Sequence, residues 1–319
     1  MTSLANRVEI IKLAHALDVP DTDLAILAPV PADDIRTVRQ SLGEAIFAQH
    51  EPRFRRIAKL ASMVPPQLSA RIAQMALSPL LGARVAAVMD PALAVKLAGS
   101  LKTTYLADLS KALDPVRAEP ILSRIEADLI VEVGRLLVER KEYVALGRFV
   151  SVIEPDTALR VIDSATGRDL LQVALFAEDP VALDELVRRI DDERLVDAIR
   201  AADEDGLYDD AVTLIASVSP SSRARLVPLI TALDQSGLDA FATSLHSYDA
   251  WPAALPALAG LDDAALAALA NCSATLTPGM LPRMVEVARE LELGTLVDRL
   301  ATVLDADHRK AAGKALTSS

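Results

Sequence analysis

The 319-residue chain has one cysteine, few aromatic residues and few glycines, and each shortage narrows what the protein can be. Cys272 can form no disulfide within the chain, and thiolate zinc sites need several cysteines. Aromatic residues make up 3% of a sequence that is 51% hydrophobic, so its core must consist of Ala, Leu, Val and Ile. Small aliphatic side chains suit close packing between helices. With only 12 glycines and little alternation of polar and apolar residues, the composition favours an all-α fold over a β-sandwich or a doubly wound sheet.

The common sequence motifs of enzymes are missing as well. The four histidines, His15, His50, His246 and His308, lie far apart, so no HExxH zinc pair exists. No GxGxxG, GxxxxGK[ST] or GxSxG motif occurs, which removes the frequent nucleotide-binding and hydrolase fingerprints. We expect the histidines to be packing or surface residues and Cys272 to be a buried structural thiol. The sequence therefore predicts a protein that is not an enzyme and has no cofactor, and it identifies no metal ligands.

No signal peptide or membrane span is evident. Arg7, Glu9 and Lys12 interrupt the apolar stretch at the N-terminus, which is typical of an amphipathic helix. The longest uncharged run, residues 264–282, contains several polar residues, a proline and a glycine, and is a poor candidate for crossing a bilayer. We therefore expect a cytoplasmic protein without a membrane span.

What the sequence does contain is a series of prolines that follow an acidic residue or a serine. Asp or Ser before a helix accepts hydrogen bonds from the free N–H groups of its first turn. Pro suits the first helical position, because its missing N–H costs nothing there. These pairs predict that helices begin at Pro91, Pro115, Pro155, Pro180 and Pro220.

The spacing of the prolines indicates a duplication. Residues 90–154 align with residues 155–219, and each unit has a short arm that holds two helices and a longer arm that holds three. Stacking such units buries apolar faces that a single unit leaves exposed. We predict an α-solenoid, or superhelix, of about 19 helices in two- and three-helix units. The whole chain, 1–319, is expected to form one domain, with repeats over 31–262, an N-terminal cap over 1–30 and a C-terminal cap over 263–319.

Aromatic residues recur twelve positions before predicted helix starts. They are Phe54, Tyr143, Tyr208 and Trp251. We expect each to open the third helix of its unit and to pack against the neighbouring unit. Stacking on a ligand is the alternative.

The segments DPALAVKLAGSLKTTYLADLSKALDP (90–115) and EPDTALRVIDSATGRDLLQVALFAEDP (154–180) resemble a known pattern. It is that of the superhelical intracellular N-terminal domain of the bacterial MgtE magnesium transporters. The resemblance covers roughly residues 65–220 and consists of short helix pairs opened by Asp-Pro. It implies a superhelical fold that responds to magnesium through surface carboxylates. This chain departs from the family in its three-helix units and in lacking a transmembrane region after the helical part, so we do not expect transport.

Charge distinguishes the two units. The net charge is −12, and residues 155–219 carry 16 acidic and 6 basic side chains, against 10 and 9 in residues 90–154. The acidic residues form two clusters, Asp191, Asp192 and Glu193, and Asp203, Glu204, Asp205, Asp209 and Asp210. They fit a solvated surface with acids at helix N-termini, a patch for a basic partner, or a loose site for Mg²⁺ or Ca²⁺.

Three hypotheses for function follow, none of them involving nucleic acid, because the acidic balance disfavours it. The basic cluster Arg53, Arg55, Arg56 and Lys59 is expected to be a solvated helix face. The leading hypothesis is a non-enzymatic scaffold for a protein or peptide partner. The second is a binding module for an apolar small molecule or lipid, lined by stretches such as WPAALPALAGL (251–261). The third is a regulatory domain that responds to Mg²⁺ or Ca²⁺ through residues 155–219.

Overall fold

The computed structural model describes residues 4–204, 206–231 and 233–316, which form 21 α-helices, three short 3₁₀ helices and no strand. The predicted all-α fold of short helical repeats is confirmed, with slightly more helices than expected. The 3₁₀ helices are Asp21–Leu27, Ser273–Leu276 and Gly313–Leu316. In chain order, α1 to α21 are Leu4–Leu17, Ala32–Ala61, Pro66–Ala76, Pro79–Ala86, Pro91–Ala98, Thr103–Ala112, Pro115–Leu122, Ala127–Glu139, Tyr143–Phe149, Pro155–Ile162, Gly167–Leu175, Pro180–Arg189, Asp192–Glu204, Tyr208–Ser217, Pro220–Ile230, Gln235–Ser247, Trp251–Leu258, Asp263–Ala270, Met280–Glu290, Gly294–Val303 and Ala306–Ala312. No helix among the described residues is both long and apolar enough to cross a membrane.

The proline pairs mark helix starts as predicted. Helices α5, α7, α10, α12 and α15 begin at Pro91, Pro115, Pro155, Pro180 and Pro220. The residue before each proline caps the helix when its side chain is short. Asp90 accepts a 3.0 Å hydrogen bond from the Leu93 N–H, and Asp179 accepts a 2.8 Å hydrogen bond from the Val181 N–H. The longer Glu154 makes no capping bond to α10. The position of each start is therefore decided by interactions within a single turn.

Helix α2 corrects the expectation for Phe54. Phe54 does not open a helix, because α2 runs for 30 residues straight through Pro52. The rings of Phe47 and Phe54 lie 5.6 Å apart on the two sides of the proline, and this contact supports the helix across the missing N–H. The other three aromatics do open helices, as predicted: α9 at Tyr143, α14 at Tyr208 and α17 at Trp251.

By their internal contacts the residues divide into two compact units. The N-terminal unit is Met1–Ala165 with Gln172–Leu186, and the C-terminal unit is Thr166–Leu171 with Val187–Ser319. The sequence predicted a single domain, and this division falls inside the second predicted repeat, 155–219.

Within the N-terminal unit, helices pack on the helix two places further along. One row consists of α4, α6, α8 and α10, and a second row of α3, α5 and α7. Glycines allow the close approach: a Cβ on Gly134 would lie 2.6 Å from the side chain of Val161, and one on Gly147 would lie 2.4 Å from the backbone of Phe176. This stacking buries the apolar helix faces in the way that helical repeats do.

The C-terminal unit follows the same rule. One row contains the odd-numbered helices α13 to α21, and the other contains the even-numbered helices α14 to α20. Its core includes Trp251, Leu255 and Leu281, all with 0% of their surface exposed. Repetition of one packing step therefore accounts for the architecture of both units.

Aspartate–arginine pairs join the stacked helices at a regular separation in sequence. In each pair the arginine donates to an aspartate on, or next to, the helix two places earlier, 32 to 36 residues before it. The pairs are Arg140 with Asp108, Arg160 with Asp128, Arg225 with Asp192, Arg283 with Asp249, and Arg299 with Asp263. We call them the inter-repeat pairs. They give many acidic residues a structural partner.

Candidate functional site

Large apolar side chains are exposed along the end of α2, along α3 and at the start of α4. Six of them define what we call the α2–α4 surface: Leu60, Met63, Leu68, Ile72, Met75 and Leu80, whose exposed fractions range from 50% to 82%. In the described part of the chain, the exposed large apolar residues beyond Leu80 are only Val116, Val181, Leu276 and Leu291. Contiguous exposed apolar patches are uncommon on folded proteins and mark interaction sites.

Local structure explains why α3 presents this surface. Leu68, Ile72 and Met75 are spaced by four and then three residues, so they lie on one helix face. Ser69 and Ala70 are buried on the other side of the helix. The Ser69 hydroxyl donates a 2.9 Å hydrogen bond to the carbonyl oxygen of Ala61, which holds α3 against the end of α2.

The same segment is strongly basic. Between Pro52 and Leu80 the sequence contains no acidic residue and five exposed cations, Arg53, Arg55, Arg56, Lys59 and Arg71. The net charge of the whole chain is −12, so this surface has the opposite sign. Four of these cations form the cluster that the sequence predicts to be a solvated helix face, and the structure adds exposed apolar residues in the same segment. The spacing of the apolar residues on α3 and the lack of acids were visible in the sequence, but the exposure was not.

The second acidic cluster takes part in hydrogen bonds within the C-terminal unit. Asp209 accepts bonds from the Ser244 hydroxyl at 2.7 Å and from the Tyr248 hydroxyl at 3.0 Å. Asp203 accepts a bond from the hydroxyl of Tyr208. Burial raises the pKa of Tyr208, and the bond to Asp203 raises it further. These carboxylates are used to hold neighbouring helices.

The remaining acidic residues are dispersed. Asp192 forms an inter-repeat pair, Asp191, Glu193 and Glu204 are exposed, and Asp210 is buried. Asp205 lies outside the described residues. Across the described ranges, no group of three or more His, Cys, Asp or Glu side chains is placed to hold a metal ion. A response to Mg²⁺ or Ca²⁺ stays a prediction.

Cys272 and His308 pack together in the C-terminal unit. Cys272 is fully buried, as predicted, and burial raises its pKa to about 11. The ring of His308 lies with Nε2 3.1 Å from the Cys272 carbonyl oxygen and with Nδ1 2.8 Å from Asp305. Both imidazole nitrogens therefore serve the packing of α21.

The other histidines are separate from one another. His15 is half-buried and lies 3.3 Å from the carbonyl oxygen of Lys111, and His50 lies edge-on to the ring of Phe54. His246 is half-buried on α16. The structure brings none of these four described histidines together into a cluster with metal-ligating geometry.

The apolar segment 251–261 fills the core of the C-terminal unit. Trp251, Leu255 and Leu258 are at most 1% exposed. A small apolar cavity beside them, lined among others by Leu269 and Leu300, encloses about 10 Å³. This is about the space of one water molecule, whereas sites for drug-sized ligands are typically about 300 Å³ or larger. Segment 251–261 therefore offers no room for an apolar ligand. Binding of such a ligand by this protein stays a prediction.

The α2–α4 surface is thus the strongest candidate for an interaction site in the described residues. It is exposed and apolar, and its segment of the sequence, residues 52–80, contains five cations and no acidic residue. The acidic clusters, the histidines and segment 251–261 are largely accounted for by packing and solvation. No protein-family model, no curated protein and no solved structure matches the chain.

Proposed function

We propose that the chain is a non-enzymatic helical-repeat scaffold that binds a protein partner through the α2–α4 surface. The observation that carries the proposal is the exposure of Met63, Leu68, Ile72 and Met75 on adjoining elements. Exposed apolar area is unfavourable in water, and covering it stabilises a complex by about 25 cal/mol per Å² before the costs of association. Stacked helical repeats are a common platform for such binding.

The charges around the surface indicate the partner's chemistry. Arg55 pairs with Glu51, and the other four exposed cations, Arg53, Arg56, Lys59 and Arg71, favour a negatively charged partner through faster association and better selectivity. Leu68, Ile72 and Met75 form a helical stripe of the kind that packs against another amphipathic helix. Methionine side chains such as Met63 adapt to irregular partners. The proposed partner segment is therefore an acidic amphipathic helix.

The test uses the full chain and a labelled model peptide. The peptide is an amphipathic helix with Leu on one face and Glu on the other, and its isomer has Lys in place of Glu. We expect the Glu peptide to bind, the Lys peptide not to bind, and Met75→Glu to weaken binding about tenfold or more through charge repulsion and lost apolar contact. Val181→Glu is the matched control, since Val181 is 76% exposed but lies on α12, away from the surface in sequence. Equal loss in both variants, or equal binding of both peptides, would contradict the proposal.

An anionic membrane is the main competitor, because cations beside apolar residues also suit a lipid surface. The six apolar residues of the α2–α4 surface are Leu, Ile and Met, without the Trp or Phe that interfacial helices commonly use. We therefore favour a protein. Sedimentation with vesicles of phosphatidylcholine and phosphatidylserine distinguishes the two. Wild-type protein that pellets with these vesicles, while Met75→Glu stays in the supernatant, would favour the membrane over the protein partner.

The cation-responsive alternative, together with the resemblance to the MgtE domain, has less support. Asp203 and Asp209, which would be its first candidates, already accept hydrogen bonds from neighbouring hydroxyls. It stays a prediction, as does a cytoplasmic location. A magnesium titration of the melting temperature tests the response to the cation.

A further inference from the structure

Helix α2 has little cover for its length. It runs for 30 residues, of which only Ile35, Phe47 and Ala58 are buried. Helix α19 is 11 residues long and buries six of them. A helix in a protein is stabilised mainly by packing of its apolar face, and α2 also contains Pro52 in its interior, which removes a hydrogen bond. The N-terminal unit therefore leaves much of a long helix open to a further contact.

The first half of α2 exposes apolar side chains on one face. Val38 is 56% exposed, Leu42 36% and Ile46 44%, and Ala45 is exposed as well. These positions are related by steps of three and four residues, so the four side chains are neighbours on the helix surface. We call them the α2 stripe. The stripe is separate from the α2–α4 surface, whose first member, Leu60, comes 14 residues after Ile46.

The contacts of α2 with α1 and α4 lie before and after the stripe. At the start of α2, Ile35 packs with Ile10 and Leu13 of α1. Further along, the guanidinium carbon of Arg84, on α4, lies 5.9 Å from the centre of the ring of Phe47. The stripe lies between these two contacts in the sequence, and its apolar side chains are left exposed.

The spacing of the stripe suits pairing with a second helix. Val38, Leu42, Ala45 and Gln49 follow one another at intervals of four, three and four residues. These are the intervals of the positions that meet along the seam of a two-helix coiled coil. When a second α2 is placed antiparallel with its Ala45 opposite Leu42, its Gln49 lies opposite Val38. A twofold axis repeats both contacts, so the stripe is complementary to itself.

The charges along α2 favour this antiparallel arrangement. Asp34 is exposed in its first turn, whereas Arg53 and Arg56 are exposed in its second half. Asp34 lies eight residues before Leu42, and Arg53 lies eight residues after Ala45. In the register above, Asp34 of one copy is therefore level with Arg53 of the second copy. A parallel pair would instead set each of these charges beside its own kind, and like charges at an interface are unfavourable.

We propose that the α2 stripe is the interface of a homodimer in which the α2 helices of two copies pack antiparallel. A twofold interface uses the same residues on both copies, and it closes without leaving a free stripe for a third. Helix α2 meets this requirement with an apolar seam in its first half and with opposite charges at the two ends of the seam. The interface lies outside the α2–α4 surface, so it is independent of the protein partner proposed above.

The dimer is tested with the full chain by sedimentation velocity over about 1–100 μM, a range in which interfaces of modest size associate. We expect the mass to rise from one chain to two. Leu42→Glu and Val38→Glu should each weaken dimerisation about tenfold or more, because each places two carboxylates in the apolar seam. Val116→Glu is the matched control, since Val116 is 70% exposed but lies on α7. Circular dichroism checks folding, and Val38→Glu keeps the test valid if Leu42→Glu does not fold, because Val38 is the more exposed.

A wild type that stays monomeric over the whole range would overturn the proposal and leave the stripe to a different protein. Equal dimerisation of Val38→Glu and Val116→Glu would overturn it as well, since other residues would then form the dimer.

Charge reversal tests the direction of the two helices. Asp34→Arg and Arg53→Asp should each weaken the dimer about threefold or more, because each turns two attractive contacts into repulsive ones. Both changes in one chain should restore dimerisation, since opposite charges then face each other again. A double variant as weak as the single ones would overturn the antiparallel register.

Two variants separate this dimer from binding at the α2–α4 surface. Met75→Glu should dimerise like the wild type, and Val38→Glu should bind the Glu peptide like the wild type. Loss of dimerisation in Met75→Glu would place the interface on the α2–α4 surface and overturn the proposal. A dimer that depends on Val38 and Leu42, in a protein that binds neither peptide, would support the dimer and contradict the proposed function.

Discussion

Arg299 donates a 2.8 Å hydrogen bond to the carboxylate of Asp263, and its two terminal nitrogens donate to the carbonyl oxygens of Ala259 and Leu261. The last carbonyl groups of a helix have no partner inside it, and here they lie just beyond α17. One side chain of α20 therefore satisfies the end of α17 and joins the start of α18. Arg225 makes the equivalent contacts with carbonyl groups at the end of α12.

Replacement of Arg299 by Gln should lower the free energy of unfolding of the C-terminal unit by about 1–3 kcal/mol, since charged hydrogen bonds to backbone carbonyls are lost. Arg200→Gln is the control. Its side chain is 65% exposed and pairs with Asp197 within one helix, so we expect a loss below about 0.5 kcal/mol. Urea unfolding followed by the fluorescence of Trp251, the chain's one tryptophan, measures both. Equal losses would mean that the carbonyl contacts of Arg299 contribute nothing.

Gly147 should not tolerate a side chain. In Gly147→Ala the new Cβ meets the backbone of Phe176 at 2.4 Å, which can be relieved only by moving α9, at a cost of about 3 kcal/mol. Gly43→Ala is the matched comparison inside α2, where no atom lies within 4 Å of the added Cβ. It should raise stability by about 0.5–1 kcal/mol through helix propensity. Chemical denaturation of both variants checks this contrast, and a neutral Gly147→Ala would contradict the close approach.

Asp209 should matter for stability without any metal. Asp209→Ala removes the acceptor for the Ser244 and Tyr248 hydroxyls and should cost about 1 kcal/mol. Glu204→Ala, at an exposed site in the same cluster of the sequence, should cost nothing measurable. Melting temperatures are compared with and without millimolar MgCl₂. A rise with magnesium in the wild type that disappears in Asp209→Ala would instead support the cation-responsive alternative.

His15 should make the N-terminal unit less stable in mild acid. Burial lowers the pKa of His15 below its ordinary value of 6.5. As the pH falls below about 6.5, the unfolded chain takes up the proton first, so the stability associated with neutral His15 is complete above that pH and is lost as the pH falls towards the folded-state pKa. His15→Gln keeps a donor for the Lys111 carbonyl oxygen but does not titrate.

The measurement is urea unfolding of wild type and His15→Gln between about pH 7.5 and pH 5. We expect the two curves of stability against pH to be parallel above about pH 6.5 and the wild-type curve to fall more steeply below it. Parallel curves over the whole range would show that protonation of His15 is not linked to unfolding.

The helix starts were predictable from the sequence because they depend on neighbours within one turn. A capping side chain and a proline at the first position act locally, so the starts at Pro91 and Pro180 needed no knowledge of the fold. The error at Phe54 has the same origin. Pro52 alone is compatible with a helix start or with a continued helix, and in the structure α2 continues through it.

The sequence by itself determined the all-α class and the helix starts at the prolines, since composition and helix capping depend only on the residue types and on near neighbours in the chain. Only the tertiary structure decided which faces were covered. Leu68 and Ile72 have the same helical spacing as buried residues elsewhere, and their exposure follows from how α3 packs. It likewise decided which charges were matched, because ionic energies depend on distance in space. Asp209 accepts a hydrogen bond from the Ser244 hydroxyl, which lies 35 residues away in the sequence.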